Sequence, residues 1–220
     1  MSAETVEILK KQLRAKFPQA HAAWSDEGRE KETGGMRLRE AEFPAGEITE
    51  LVPEGVASGI SLVVAGLLGD ADGTDEVAPY PELVLVDGAD AFDPGSFGGA
   101  VCSKLLWVRC RSALEMVKAA DLVVRDGNVP FVLLDAVGVD RRELRDLPAS
   151  VWWRLKQVAE GNGCRLVVMS PVAMVPCAKL RLTVSAGLEL GDFERERGEV
   201  VARVELRRGG VRRHGMRGHG

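Results

Sequence analysis

From residue 46 onward the chain is built of short apolar runs that rarely alternate with polar positions. Ile48–Val52, Leu83–Val86, Lys104–Val108, Phe131–Leu134 and Arg165–Ser170 each read as a strand. Continuous runs of this kind are buried on both faces, which predicts a largely parallel sheet covered by helices. Helical periodicity fills the intervals at Ile60–Leu68, at Ala113–Arg125 behind the capping Ser112, and across Ser150–Asn162. Leu180–Ala186 and Val200–Leu206 are expected to close the sheet as an antiparallel pair. The expected fold class is therefore α/β: a mostly parallel β-sheet flanked by helices, with a C-terminal β hairpin and an N-terminal helix.

That core spans 46–206. Ahead of it, residues 1–24 form a helical pattern: Ser2 can cap, Glu4 sits in the first turn, and Val6, Leu9, Leu13 and Phe17 share one face before Pro18. Residues 25–45 are charged and glycine-containing and read as a linker. Residues 69–82 are acidic, contain two prolines and read as a loop. The segment 207–220 reads as a flexible basic tail. In open parallel sheets, ligands bind at the carboxyl ends of the strands. That rule places the 53–61 turn, Asp87, Arg109, Asp135 and Ser170 on one rim.

Composition narrows the picture. With 45% hydrophobic and 28% charged residues, the 220-residue chain is an ordinary globular protein. A formal net charge of −4 argues against non-specific nucleic-acid binding by the whole domain, although Arg207–Gly220 holds five arginines, two histidines and no acid. Arg207, Arg208, Arg212, Arg213 and Arg217 are thus candidate contacts for an acidic partner. The four cysteines are widely spaced, with no zinc-like clustering, and read as buried thiols in a reducing compartment. No apolar run is long enough for a membrane span and the N-terminus lacks the apolar stretch of a signal peptide, so a cytoplasmic location is expected. The three histidines, His21, His214 and His219, lie near the termini, and no metal or cofactor is expected. The core serines therefore lack a histidine partner for hydrolase chemistry. Trp152 and Trp153 are adjacent on a helix, so their rings diverge by roughly 100°. One is expected in the core and the other, Trp153, as a partner anchor.

Chemistry concentrates in one stretch. A phosphate-binding loop has the form G-x-x-x-x-G-K-[ST] between strand and helix. Its backbone N–H groups hold phosphate, its lysine reaches the β and γ phosphates, and its hydroxyl binds magnesium. Glu54, Gly55, Val56, Ala57, Ser58, Gly59, Ile60 and Ser61 occupy that frame. Gly59 and Ser61 fit it. Glu54 replaces the first glycine and Ile60 replaces the lysine, so the loop reads as degenerate, with a carboxylate at its mouth and no cation for a triphosphate.

The surrounding segments resemble the RecA-like superfamily. Val84–Pro94 is similar to its hhhhDAExALDP segment. Leu105–Arg109 followed by Ala113–Arg125 and Val132–Val137 resembles the next strand, helix and Walker B segment, with Asp135 as a vestigial Walker B aspartate. Leu166–Pro171 resembles the nucleotide-sensing strand. Within that superfamily the chain looks most like the ImuA family of mutagenesis-cassette accessory proteins, through Leu105–Arg109 and the tract VPCAKLRL at 175–182. The family's D-A-E reads Asp87-Gly88-Ala89 here, so the catalytic base is missing. The resemblance implies a non-enzymatic adaptor in DNA-damage tolerance and error-prone translesion synthesis. Its partner would be an ImuB-like polymerase-related protein, with a DnaE-type polymerase and RecA as further candidates and DNA contacted only indirectly. Two alternatives stay open. One is a P-loop ATPase with a displaced lysine, from Lys104 or a neighbouring subunit. The other is a cell-division inhibitor of the SulA type.

Overall fold

The apolar runs assemble into one eight-stranded sheet. The computed structural model describes residues 36–37, 43–69 and 81–208. The expected N-terminal helix, most of the expected linker, residues 70–80 of the acidic loop, and Arg212, Arg213 and Arg217 of the tail lie outside the described residues.

The strands are β1 (Met36–Arg37), β2 (Ile48–Pro53), β3 (Leu83–Asp87), β4 (Leu105–Arg109), β5 (Phe131–Asp135), β6 (Arg165–Met169), β7 (Leu180–Ser185) and β8 (Glu205–Arg208). Their order in the sheet is β1-β8-β7-β2-β6-β5-β3-β4. Pairing is parallel from β7 through β2, β6, β5 and β3 to β4, and antiparallel only where β8 meets β7 and β1. The helices are α1 (Leu62–Leu68), α2 (Gly99–Cys102), α3 (Ala113–Asp126), α4 (Arg141–Asp146), α5 (Ala149–Asn162) and α6 (Arg197–Val201).

Because successive strand residues face opposite sides, each run feeds two cores. Val84, Val86, Val132, Leu134, Leu166 and Val168 pack under α3 and α5 with Met116, Ala120, Trp152 and Leu155. Leu85, Leu133, Val167, Met169, Leu182 and Val184 pack on the other side with Val63, Val64 and Leu68 of α1. Helix ends follow local chemistry. The Ser112 hydroxyl accepts from Glu115 N at the start of α3, and glycines with positive φ, Gly127 and Gly163, stop α3 and α5.

Three expectations need correction. The expected final strand Val200–Leu206 is instead the end of helix α6, a turn, and then β8. Val200, Val201, Val204 and Leu206 are all buried by that path. The closing strands do pair antiparallel, as expected, with residues 186–204 connecting them. Second, Arg207 and Arg208 belong to β8, paired across from Thr183 and Leu182, so the basic tail does not begin at 207. Third, β1 lies inside the expected linker, and Phe43 is already buried, so ordered structure starts before residue 46.

Candidate functional site

The turn after β2 lies at the carboxyl rim, as expected, but its interior is occupied. Ile60 is buried at 8% exposure in the core that holds Val63, Met169 and Val184. Helix α1 begins only at Leu62, two residues later than the sequence pattern suggests. Its N-cap Ser61 makes no side-chain capping bond. Gly59 adopts φ +71°, and a Cβ there would lie 2.8 Å from the Ala186 Cβ, so the segment after β7 is pressed against the turn. Backbone bonds seal that contact: Glu54 N donates to Val184 O at 2.9 Å and Leu188 N to Ala57 O at 3.3 Å. The Ser58 hydroxyl, itself buried, accepts from Ile60 N. The five loop residues singled out from the sequence thus come together around an apolar plug. Val56 projects fully into solvent and Gly55 is open.

Beside this turn stand two aspartates at the ends of neighbouring strands, Asp87 on β3 and Asp135 on β5, paired in register. Asp87 is buried and accepts four donors: Ala89 N, Ala91 N, Phe92 N at 2.8 Å and Trp107 Nε1 at 3.2 Å. It knots residues 88–92 into place beneath the Phe92–Phe97–Trp107 aromatic cluster. Asp135 accepts a hydrogen bond from Val137 N at 2.9 Å. Burial, reinforced by the nearby charge of Asp87, pushes its carboxyl up to about 6 despite that donor. Next to the knot, Asp90 holds Arg109 in a two-pronged ion pair at 2.6 and 2.7 Å, and Arg109 also lies over the Trp107 ring. The arginine draws the Asp90 carboxyl below its ordinary range.

Ala89, at the position of the missing base, is partly buried. Its neighbours are close: a Cβ on Gly88 would meet Met116 Sδ and Val139 Cγ2 at 2.6 Å, and a Cβ on Gly138 would lie 2.8 Å from the Ala89 Cβ. Ser170 ends β6, fully buried, and donates its hydroxyl to Glu50 Oε1 at 2.9 Å.

Glu50 is the residue that sequence reasoning missed. It is wholly buried in the middle of β2, and Oε1 also accepts Met174 N at 2.7 Å and Val175 N at 3.0 Å. Its other oxygen pairs with Arg181 Nε at 2.5 Å, and Arg181 donates onward to Val175 O. Glu50 and Arg181 are register partners on β2 and β7. The sequence shows a charged residue inside each strand but not that the two meet.

Neither a protein-family model nor a curated protein matches the chain. Its chemistry therefore rests on its own geometry. Among the described residues no group of three or more His, Cys, Asp and Glu side chains could hold a metal ion. Nor is any described helix long and apolar enough to cross a membrane. Cys110, Cys164 and Cys177 are buried, and burial raises the Cys164 thiol to about 11, well out of nucleophilic range. Cys102 is only partly buried. Of the tryptophan pair, Trp152 is core at 2% exposure and Trp153 is 51% exposed on the outer face of α5. Arg208 is exposed at the end of β8, and Arg207 donates to Glu205 at 2.8 Å. Trp153, Arg207 and Arg208 belong to different elements from the carboxyl rim.

On the same rim, between α4 and the segment after β6, opens a cleft of about 540 Å³. Its walls are apolar apart from Arg141 and Arg145.

Proposed function

We propose that the chain is a non-catalytic RecA-like adaptor of the ImuA type, acting in DNA-damage tolerance by docking a polymerase-related partner. One observation carries the reading. The place where a phosphate-binding loop would cradle a triphosphate is filled by Ile60 and closed by Ala186. A lysine at that site would have to be buried in an apolar core, and a phosphate would have to displace packed side chains. Ala89 offers no carboxylate at the position of the base that would orient water. Lys104 offers no rescue. It precedes β4 and its carbonyl accepts Glu82 N, so it stands at the amino-terminal edge of the sheet. Five strand residues at about 3.3 Å each separate it from the loop's edge.

The test is calorimetry of the full chain with magnesium-ATP at millimolar concentration. No saturable heat is the expected result, and micromolar binding would end this reading. Ile60→Lys alone should create no ATPase activity and should lower the melting temperature. The docking half is tested by co-expression with an ImuB-like protein, where stable co-purification is expected and its absence counts against the adaptor role.

A further inference from the structure

The cleft between α4 and the segment 171–176 has the build of a preformed receptor site, and no element of the reading above uses it. Leu144 of α4, Leu147 at its end, Trp152 of α5, and Val172 and Met174 of the segment after β6 line it. Val172 is an apolar residue left 46% exposed there.

Both walls are tied from behind. On one side the buried Glu50 carboxylate takes the N–H groups of Met174 and Val175, while Arg181 holds Val175 O. On the other, the Asp140 carboxylate caps α4 through Arg142 N, and Glu143 reaches away from the cleft to Ala113 N on α3. Asp140 and Glu143 thus serve the scaffold. Arg141 and Arg145, four residues apart and on one face of α4, have no hydrogen-bond or ion-pair partner among the described residues, and none of these contributes a carboxylate to the cleft lining. An apolar trough with walls fixed in advance avoids much of the ordering cost of binding. Two unpaired guanidiniums at its edge select for carboxylates.

We infer that this cleft captures a linear segment of a partner protein, one that inserts a large apolar side chain between Trp152 and Val172 and sets flanking Asp or Glu residues against Arg141 and Arg145. The charge pattern decides between occupants: a basic or uncharged segment would leave the two guanidiniums unneutralised. The inference rests on the adaptor reading for the source of the segment, because an adaptor needs such a receptor. The cleft itself does not depend on the phosphate-loop argument.

The experiment is selection from a phage library of random peptides about 12 residues long on the full-length chain. Enriched sequences should place Leu, Phe or Trp beside at least two acidic residues. A fluorescein-labelled peptide made from the enriched sequence should lose affinity at least about tenfold in the R141A/R145A double variant. It should weaken as salt rises from about 50 to about 300 mM. Both arginines are exposed, so the double variant should keep the parent melting temperature. Val172→Glu, at an exposed position, is the second variant and should abolish binding by placing a carboxylate in the trough. Failure to enrich acidic–apolar sequences, or equal affinity for parent and double variant, overturns the inference. If ATP is silent and peptide capture also fails, only this inference falls. If ATP binds and the peptide is captured, the adaptor reading falls and the receptor cleft stands.

Discussion

Asp87 and Asp135 occupy equivalent places, at the carboxyl ends of adjacent parallel strands and in register with each other, yet they differ in what their oxygens accept. Asp87 is surrounded by four donors and organises the turn that follows it. Asp135 has one such donor and sits close enough to Asp87 to feel its charge. An aspartate at a strand end is not a site by virtue of its position. What its oxygens accept decides whether it knots the following turn in place.

Three substitutions sharpen that contrast. The largest effect belongs to Asp87→Ala, which would strand three backbone N–H groups and the Trp107 indole. It should cost about 3–5 kcal/mol and unlock residues 88–92. Urea denaturation and the near-ultraviolet signal of Trp107 would read it, and a loss under about 1 kcal/mol would show that the knot is replaceable by water.

Asp135→Asn should act in the opposite direction. A carboxyl whose folded value is raised to about 6 binds its proton more tightly in the folded state. Its contribution to stability is therefore full below the ordinary carboxylate range and is lost as pH rises from about 4 through about 6. At neutral pH the ionised form is a burden, and the amide, which can still accept Val137 N, should raise stability by about 1–3 kcal/mol. Melting curves across that window should slope for the parent and flatten for the variant. The smallest effect is expected for Arg109→Ala. Its ion pair with Asp90 is solvent-exposed, so the melting temperature should barely move. A large drop would mean that the Trp107 contact, rather than the charge, holds the edge strand.

Much of the sheet was legible because its strands are apolar on both faces. Leu83–Val86 and Phe131–Leu134 are strands as their patterns implied, and Asp87, Arg109, Asp135 and Ser170 share the rim. What misled was apolar density without direction. Val200, Val201, Val204 and Leu206 satisfy strand and helix spacing about equally, and the turn at 202–204 lets all four be buried. Glu50 was invisible for a different reason. Its counter-charge is Arg181, and only the strand order, which no local pattern contains, puts β7 beside β2. Likewise the sequence marked Ile60 as a lost lysine but could not reveal that Ala186 lies against the same turn. The cleft was missed because its two arginines are ordinary helix-surface residues until the loop behind β6 faces them.

The strand order has one more consequence, for how the chain comes into being. β3, β4 and β5 are close in sequence and adjacent in the sheet, so they can pair as soon as residue 135 is available. β2 is made before all three, but its neighbours β6 and β7 are the strands beginning at residues 165 and 180. A growing chain emerging N-terminus first therefore holds Glu50 without a counter-ion, and Ile48 and Leu51 without cover, until more than a hundred further residues have been synthesised. Arg181 is among the last partners to arrive. A ribosome-bound chain ending before β6 would present β2 as an unpaired apolar strand with a carboxylate in its middle, which opposes premature closure of the sheet on the wrong neighbour.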